Sequence, residues 1–129
     1  MTNPRILIVE DNPKNMKLVR DVLEHHGYTT IAALSAEDAL AAVAERPPDL
    51  ILMDIDLPGI DGFEALRRLK SDPSTEAIPV CALTAFAMND DRERCLQAGF
   101  DGYLVKPISV TEFPGQVRGL LDREGDLAP

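Results

Sequence analysis

The chain of 129 residues has no tryptophan, two tyrosines and four phenylalanines. A flat ring cofactor would find little to stack on. There are two cysteines, Cys81 in an apolar run and Cys95 in a helical pattern. Neither has the His/Cys spacing of a zinc site, so both are expected to be reduced thiols of a cytoplasmic protein. Basic residues are scarce: 13 Lys and Arg stand against 22 Asp and Glu, for a net charge of −9. With no Lys/Arg cluster to offset that charge, no binding of nucleic acid is expected. No apolar run approaches the ~20 residues of a bilayer span, so membrane insertion is not expected either. Residues 1–5 lead straight into Ile6-Leu7-Ile8-Val9 without the pattern of a signal peptide. Internal repeats and low-complexity stretches are missing. One domain over residues 1–123, with a short patternless tail at 124–129, is the expectation.

Short apolar runs alternate with helical patterns. Ile6-Leu7-Ile8-Val9 is too short for a helix and reads as a strand. Residues 12–26 place Leu18, Val19, Val22 and Leu23 on one helical face, and Gly27 is placed to stop that helix. Residues 28–33 read as a weaker strand. Ser35 can cap the next helix, with Asp38 three residues on; Ala36, Ala39, Leu40 and Val43 line its face, and Pro47-Pro48 ends it. Leu50-Ile51-Leu52-Met53 is a second continuous apolar strand, followed by loop composition in Pro58-Gly59-Ile60-Asp61-Gly62. Phe63, Leu66 and Leu69 mark a third helix, and residues 79–83 a fourth strand. Asn89, followed by Asp90 and Asp91, suits the positive end of a helix that Gly99 closes. Tyr103-Leu104-Val105 is the last strand. Val110, Phe113, Val117, Leu120 and Leu121 form a helical stripe read as core. If Ser109 caps this last helix with Glu112 as partner, Pro114 removes an internal hydrogen bond; a start nearer Thr111 is the alternative.

Five strand–helix units in sequence imply an α/β three-layer sandwich with a parallel sheet covered on both faces. Right-handed crossovers and one reversal of direction give the flavodoxin-like (βα)5 order 2-1-3-4-5. That order opens a crevice at the carboxyl ends of strands 1 and 3. The residues following the apolar runs are therefore the candidates for chemistry. Glu10 and Asp11 follow the first run, Asp54 the third, Thr84 the fourth and Lys106 the fifth. Three carboxylates at one spot repel one another and need a compensating charge. Mg²⁺ fits best, because it takes one or two carboxylates and keeps several waters. A metal, an amine and a hydroxyl beside a carboxylate suit phosphoryl transfer, with Asp54 attacking in line.

At this point the residues resemble a known family. The acidic pair Glu10-Asp11, the stretch Met53-Asp54-Ile55-Asp56-Leu57-Pro58-Gly59-Ile60-Asp61-Gly62, the segment Leu83-Thr84-Ala85 and Tyr103-Leu104-Val105-Lys106-Pro107 resemble the CheY-like receiver domain of two-component response regulators. The resemblance covers residues 5–121. It implies that Asp54 is the phospho-acceptor and that Glu10, Asp11 and Asp54 hold Mg²⁺, with the backbone carbonyl of Asp56. It also implies Thr84 as switch hydroxyl, Tyr103 as switch aromatic, Lys106 on the phosphoryl group and a cis Lys106-Pro107 bond. Val9-Glu10-Asp11-Asn12, Asn15-Met16-Lys17-Leu18, Leu83-Thr84-Ala85-Phe86-Ala87-Met88 and Lys106-Pro107-Ile108-Ser109 are further similar to the single-domain DivK-type branch, which acts in bacterial cell division and polarity. Asp56 and Pro114-Gly115 depart from the family pattern.

The resemblance implies a phosphorylation switch that catalyses only its own phosphorylation and dephosphorylation. A histidine kinase donates the phosphoryl group, Thr84 is drawn in and Tyr103 rotates. The population then shifts on the face of the fourth helix, fifth strand and fifth helix. Implied partners are a histidine kinase or phosphatase and a kinase-like regulator, with the chain a monomer or weak dimer. Two rival readings remain on the same residues. Asp54-Ile55-Asp56 resembles the motif of haloacid-dehalogenase-type aspartyl phosphatases, with Asp101 as a late metal ligand. An FMN-binding module shares the expected fold but lacks its hydroxyl- and glycine-rich phosphate loop here.

Overall fold

The computed structural model describes residues 3–55, 62–84, 89–106 and 108–126. Five strands alternate with five helices: β1 (Arg5–Val9), α1 (Pro13–His25), β2 (Thr29–Ala33), α2 (Ala36–Glu45), β3 (Leu50–Asp54), α3 (Gly62–Lys70), β4 (Val80–Thr84), α4 (Asn89–Ala98), β5 (Gly102–Val105) and α5 (Phe113–Asp126). The strands form one parallel sheet in the order β2-β1-β3-β4-β5. This is the order expected from the sequence.

The alternation of side chains along a strand builds two apolar layers. Leu7, Val9, Ile51, Met53, Val80 and Ala82 face α2, α3 and α4, where Ala36, Ala39, Val43, Leu66, Leu69 and Cys95 meet them. Ile6, Ile8, Leu50, Leu52, Cys81 and Leu83 face α1 and α5, where Met16, Val19, Leu23, Phe113 and Val117 meet them. Both faces of β3 and β4 are buried along their whole length. That explains why these strands read as unbroken apolar runs. Edge strand β2 is mostly open, matching its weaker pattern.

Helices α1 and α2 start where the caps predict. The Asn12 side chain accepts from the Lys14 and Asn15 amides at 2.9 and 3.2 Å, with Pro13 in the first turn. Ser35 Oγ accepts from the Asp38 amide at 3.1 Å. Gly27, at φ +90°, ends α1 in the left-handed conformation that glycine favours.

Three details differ from expectation. Val110 is 57% exposed rather than core. It sits in the turn before α5, so helical spacing counted from it does not apply. Ser109 Oγ accepts from the Glu112 amide at 3.3 Å and Ser109 O from the Phe113 amide at 2.8 Å. The regular helix then begins at Phe113. Pro114 thus falls in the first turn, where an amide has no intrahelical partner to lose. Finally, α5 runs to Asp126, into the stretch expected as a tail. Once the packed turns nucleate a helix, backbone bonding extends it without apolar side chains.

Phe113→Ala removes a fully buried ring and should cost about 3–5 kcal/mol in urea unfolding. Pro114→Ala should change stability by less than ~1 kcal/mol, because a first-turn proline breaks no bond; a gain near ~3 kcal/mol would place it in the helix interior instead.

Candidate functional site

The carboxyl ends of four strands meet at one edge of the sheet. Glu10 follows β1, Asp54 ends β3, Thr84 ends β4 and Lys106 follows β5. Register brings them level: Val9 pairs with Met53, Asp54 with Leu83 and Thr84 with Val105. Carboxylate oxygens of Glu10, Asp11 and Asp54 come within 4.8 Å of one another. Glu10 and Asp54 are buried, and Asp11 is exposed. All three are hard oxygen donors in one spot, the donor chemistry that suits Mg²⁺.

Lys106 spans the two buried acids. Its Nζ donates to Glu10 Oε2 at 3.0 Å and to Asp54 Oδ2 at 2.9 Å. Its side chain is only 15% exposed. Burial pulls the ammonium down, but the bonds and charges of Asp54 and Glu10 outweigh that and hold it above its ordinary value. Glu10 is also raised. Burial dominates there, the Lys106 bond opposes it, and the Asp54 charge adds to the rise.

The backbone fixes these side chains closely. The Glu10 amide donates to Ala33 O at 3.0 Å, and Glu10 Oε1 accepts from the Asn12 amide at 3.1 Å. One residue therefore both caps α1 and orients Glu10. Behind Asp54, α3 begins against the backbone. A Cβ on Gly62 would lie 2.9 Å from Ile55 Cα and 3.1 Å from Asp54 O. Neither atom can yield without moving the main chain of Asp54 or Ile55. Sequence reasoning placed Gly62 in a loop and in the receiver motif but gave it no packing role, and it gave Asn12 no role toward Glu10. The glycine at the head of a helix was the available signal for the first; the second needed coordinates.

Thr84 is buried, and Tyr103 is half-buried on the same face of the sheet, since Ala82 and Tyr103 pair in register. Lys106 N donates to Thr84 O at 2.7 Å, locking the two strand ends together. Asp56 and Pro107, given metal and cis-peptide roles by resemblance, lie outside the described residues, as do Phe86, Ala87 and Met88. Asp101 does not join the acids. It precedes β5, at the opposite end of the strand, and binds Lys70 and the Val80 amide. This removes the late metal ligand that the aspartyl phosphatase reading needs. The thiols also stand apart from the chemistry. Both are buried, and burial, with Asp101 and Cys95 nearby, pushes the Cys81 thiol up to about 12.

Comparison with known proteins agrees with this geometry. The family model of the response regulator receiver domain matches residues 6–118. The polar-differentiation response regulator DivK of Brucella ovis is 49% identical over 116 residues, covering 90% of this chain and 94% of that protein. The Brucella anthropi protein of the same name is 48% identical over the same length. Among solved structures, a CheY-like response regulator receiver domain protein from Methanospirillum hungatei superposes with a TM-score of 0.89 at 27% identity, covering 98% of this chain and 100% of that one. The receiver domain of a sensor histidine kinase from Pseudomonas aeruginosa reaches 0.86 at 35% identity, covering 94% and 99%; its active-site cleft holds a coordinated magnesium ion. Among the described residues no helix is long and apolar enough to cross a membrane.

The raised Glu10 has a consequence for stability without divalent metal. Between its ordinary and its raised value, the folded chain keeps a proton that the unfolded chain has lost. Its contribution is therefore fully present at acid pH and is lost as pH rises through the raised value. In EDTA, Glu10→Gln should flatten this fall in a series of urea titrations above pH 4.5; an unchanged slope would show that Glu10 is not the group responsible.

Proposed function

The chain belongs to the response regulator receiver family, and on that premise we propose that Asp54 accepts a phosphoryl group from a histidine kinase. The observation that carries this reading is the Lys106 ammonium held between two buried carboxylates, Glu10 and Asp54. An Asp54 oxygen attacks the phosphorus of a phospho-histidine. A P–O bond forms, the P–N bond breaks, and its electron pair stays on the imidazole nitrogen. Glu10, Asp11 and Asp54 would hold a magnesium ion, whose positive charge offsets that on the phosphoryl oxygens.

The chain's own residues do the rest. Lys106 sits within hydrogen-bond reach of Asp54 and neutralises charge as it builds on the transferring group. Lys106 also leaves Glu10 free to serve the metal once it turns toward a phosphoryl oxygen. The Thr84 hydroxyl donates to another of those oxygens. Its move opens space on the face it shares with Tyr103, and the ring swings inward, which changes the surface presented by α4, β5 and α5. The output is binding to another protein, with a kinase, phosphatase or kinase-like regulator as partner. Relatedness to DivK proteins supports a role in cell polarity and division. On this reading the protein turns over no substrate beyond its own acyl phosphate.

Incubation with a phosphorylated histidine kinase and Mg²⁺ tests the assignment. Asp54→Asn should take up no label, and EDTA should abolish labelling of the wild type; label on the variant would reject Asp54 as acceptor. Lys106→Met should move two measurements in opposite directions. Mg²⁺ should bind more tightly, since a competing cation is gone, while phosphorylation slows by about 10²-fold, the loss typical of one charge-stabilising donor.

A further inference from the structure

The amino-terminal end of the sheet carries a polar cluster that the phosphorylation chemistry does not use. Lys70 closes α3, and its Nζ donates to Glu76 O at 3.2 Å, Ile78 O at 3.1 Å and Asp101 Oδ2 at 3.1 Å. All three ammonium donors are thereby engaged. Asp101 grips Val80 twice: Oδ2 accepts from the Val80 amide at 2.8 Å, and the Asp101 amide donates to Val80 O at 2.8 Å. Val80 is the first residue of β4, and Asp101 immediately precedes β5. The cluster is thus the first rung of the β4–β5 ladder. The ladder continues through Cys81 with Gly102 to Thr84 with Val105, and ends where the Lys106 amide donates to Thr84 O at 2.7 Å.

We propose that Asp101, anchored by Lys70, is a positioning residue that sets the register of β5 and so aims Lys106 at Asp54. This builds on the phospho-acceptor role of Asp54. Two observations favour it over a general stabilising role. First, β5 is an edge strand of four residues paired only with β4, and none of them is fully buried, whereas β3 and β4 are buried throughout. Packing alone holds β5 weakly, and a slip of one residue would turn every side chain to the other face. Second, the rung at which β5 begins bears on how α5 packs. A Cβ on Gly102 would lie 2.8 Å from Leu120 Cδ2 and 3.3 Å from Cys81 Sγ, so glycine at that rung lets Leu120 of α5 pack over the strand without shifting. The clamp at Asp101 puts Gly102 there.

The full chain can be tested by residue-resolved amide exchange, Mg²⁺ titration and acyl-phosphate formation from acetyl phosphate. Asp101→Ala should speed exchange of the Lys106 amide about 10-fold or more while β1 and β3 keep their protection. The same variant should lower the phosphorylation rate at saturating donor by roughly 5-fold, since small misplacements of a charge-stabilising group are costly. Its Mg²⁺ affinity should not fall, because Glu10, Asp11 and Asp54 lie on or beside β1 and β3, and it should rise toward that of Lys106→Met as the competing ammonium loosens. Asp101→Asn keeps an acceptor for Val80 and should recover part of the rate; Lys70→Met should fall between the two. Unchanged exchange at Lys106, or an equal rise across β1 and β3, overturns the proposal. If wild type takes no phosphoryl group, the phospho-acceptor reading fails instead, and the exchange pattern still decides the role of Asp101.

Discussion

Two buried carboxylates share one ammonium, and the rest of the molecule is arranged around that fact. Glu10 and Asp54 sit on neighbouring interior strands, close enough to repel one another, in a place water barely reaches. Burying such charges is costly unless each is paired and hydrogen-bonded. Lys106 supplies the pairing, and the Asn12 amide gives Glu10 a further partner. No buried side-chain nitrogen or oxygen among the described residues lacks a partner. The site is therefore satisfied as it stands, yet its charges are tuned by burial and proximity, so a metal ion or a phosphoryl group changes every term at once.

Sheet order is what makes the pairing possible. In the order β2-β1-β3-β4-β5, the acids come from two central strands and the lysine from an edge. The central strands are sealed between two apolar layers and have little freedom. The edge strand is partly open; it carries Tyr103 and leads directly into Lys106. The proposed acceptor, Asp54, thus belongs to the fully buried part of the fold, and Lys106 and Tyr103 to the more open part. That arrangement suits the proposed phosphorylation switch, in which the acceptor stays fixed and the cation and ring respond.

Local restraints repeat this logic on a smaller scale. Gly62 lets α3 press against the Asp54 backbone, which leaves Asp54 little room to drift. Asn12 caps α1 with its side chain while its amide holds Glu10. The start of β5 is held by Asp101, and Gly102 beside it leaves room for Leu120 of α5.

Much of this was written in the sequence because strands buried on both faces must be continuously apolar, and here the runs at Ile6, Leu50 and Val80 are. The polar residue that breaks each run marks the sheet edge, which is how Glu10, Asp54, Thr84 and Lys106 were legible without coordinates. Helix starts at Asn12 and Ser35 were legible too, since a cap is a local hydrogen bond between near neighbours. What sequence could not decide was anything set by contact between distant stretches. Val110 fits a helical stripe but lies in a turn, because the chain folds over Ser109 before the helix begins. Asp101 looks like one more acid at a strand, but its place at the opposite edge gives it Lys70 as partner instead of a metal. That Lys106 reaches both Glu10 and Asp54 at once depends on strand order and register, which arise only when the whole sheet closes.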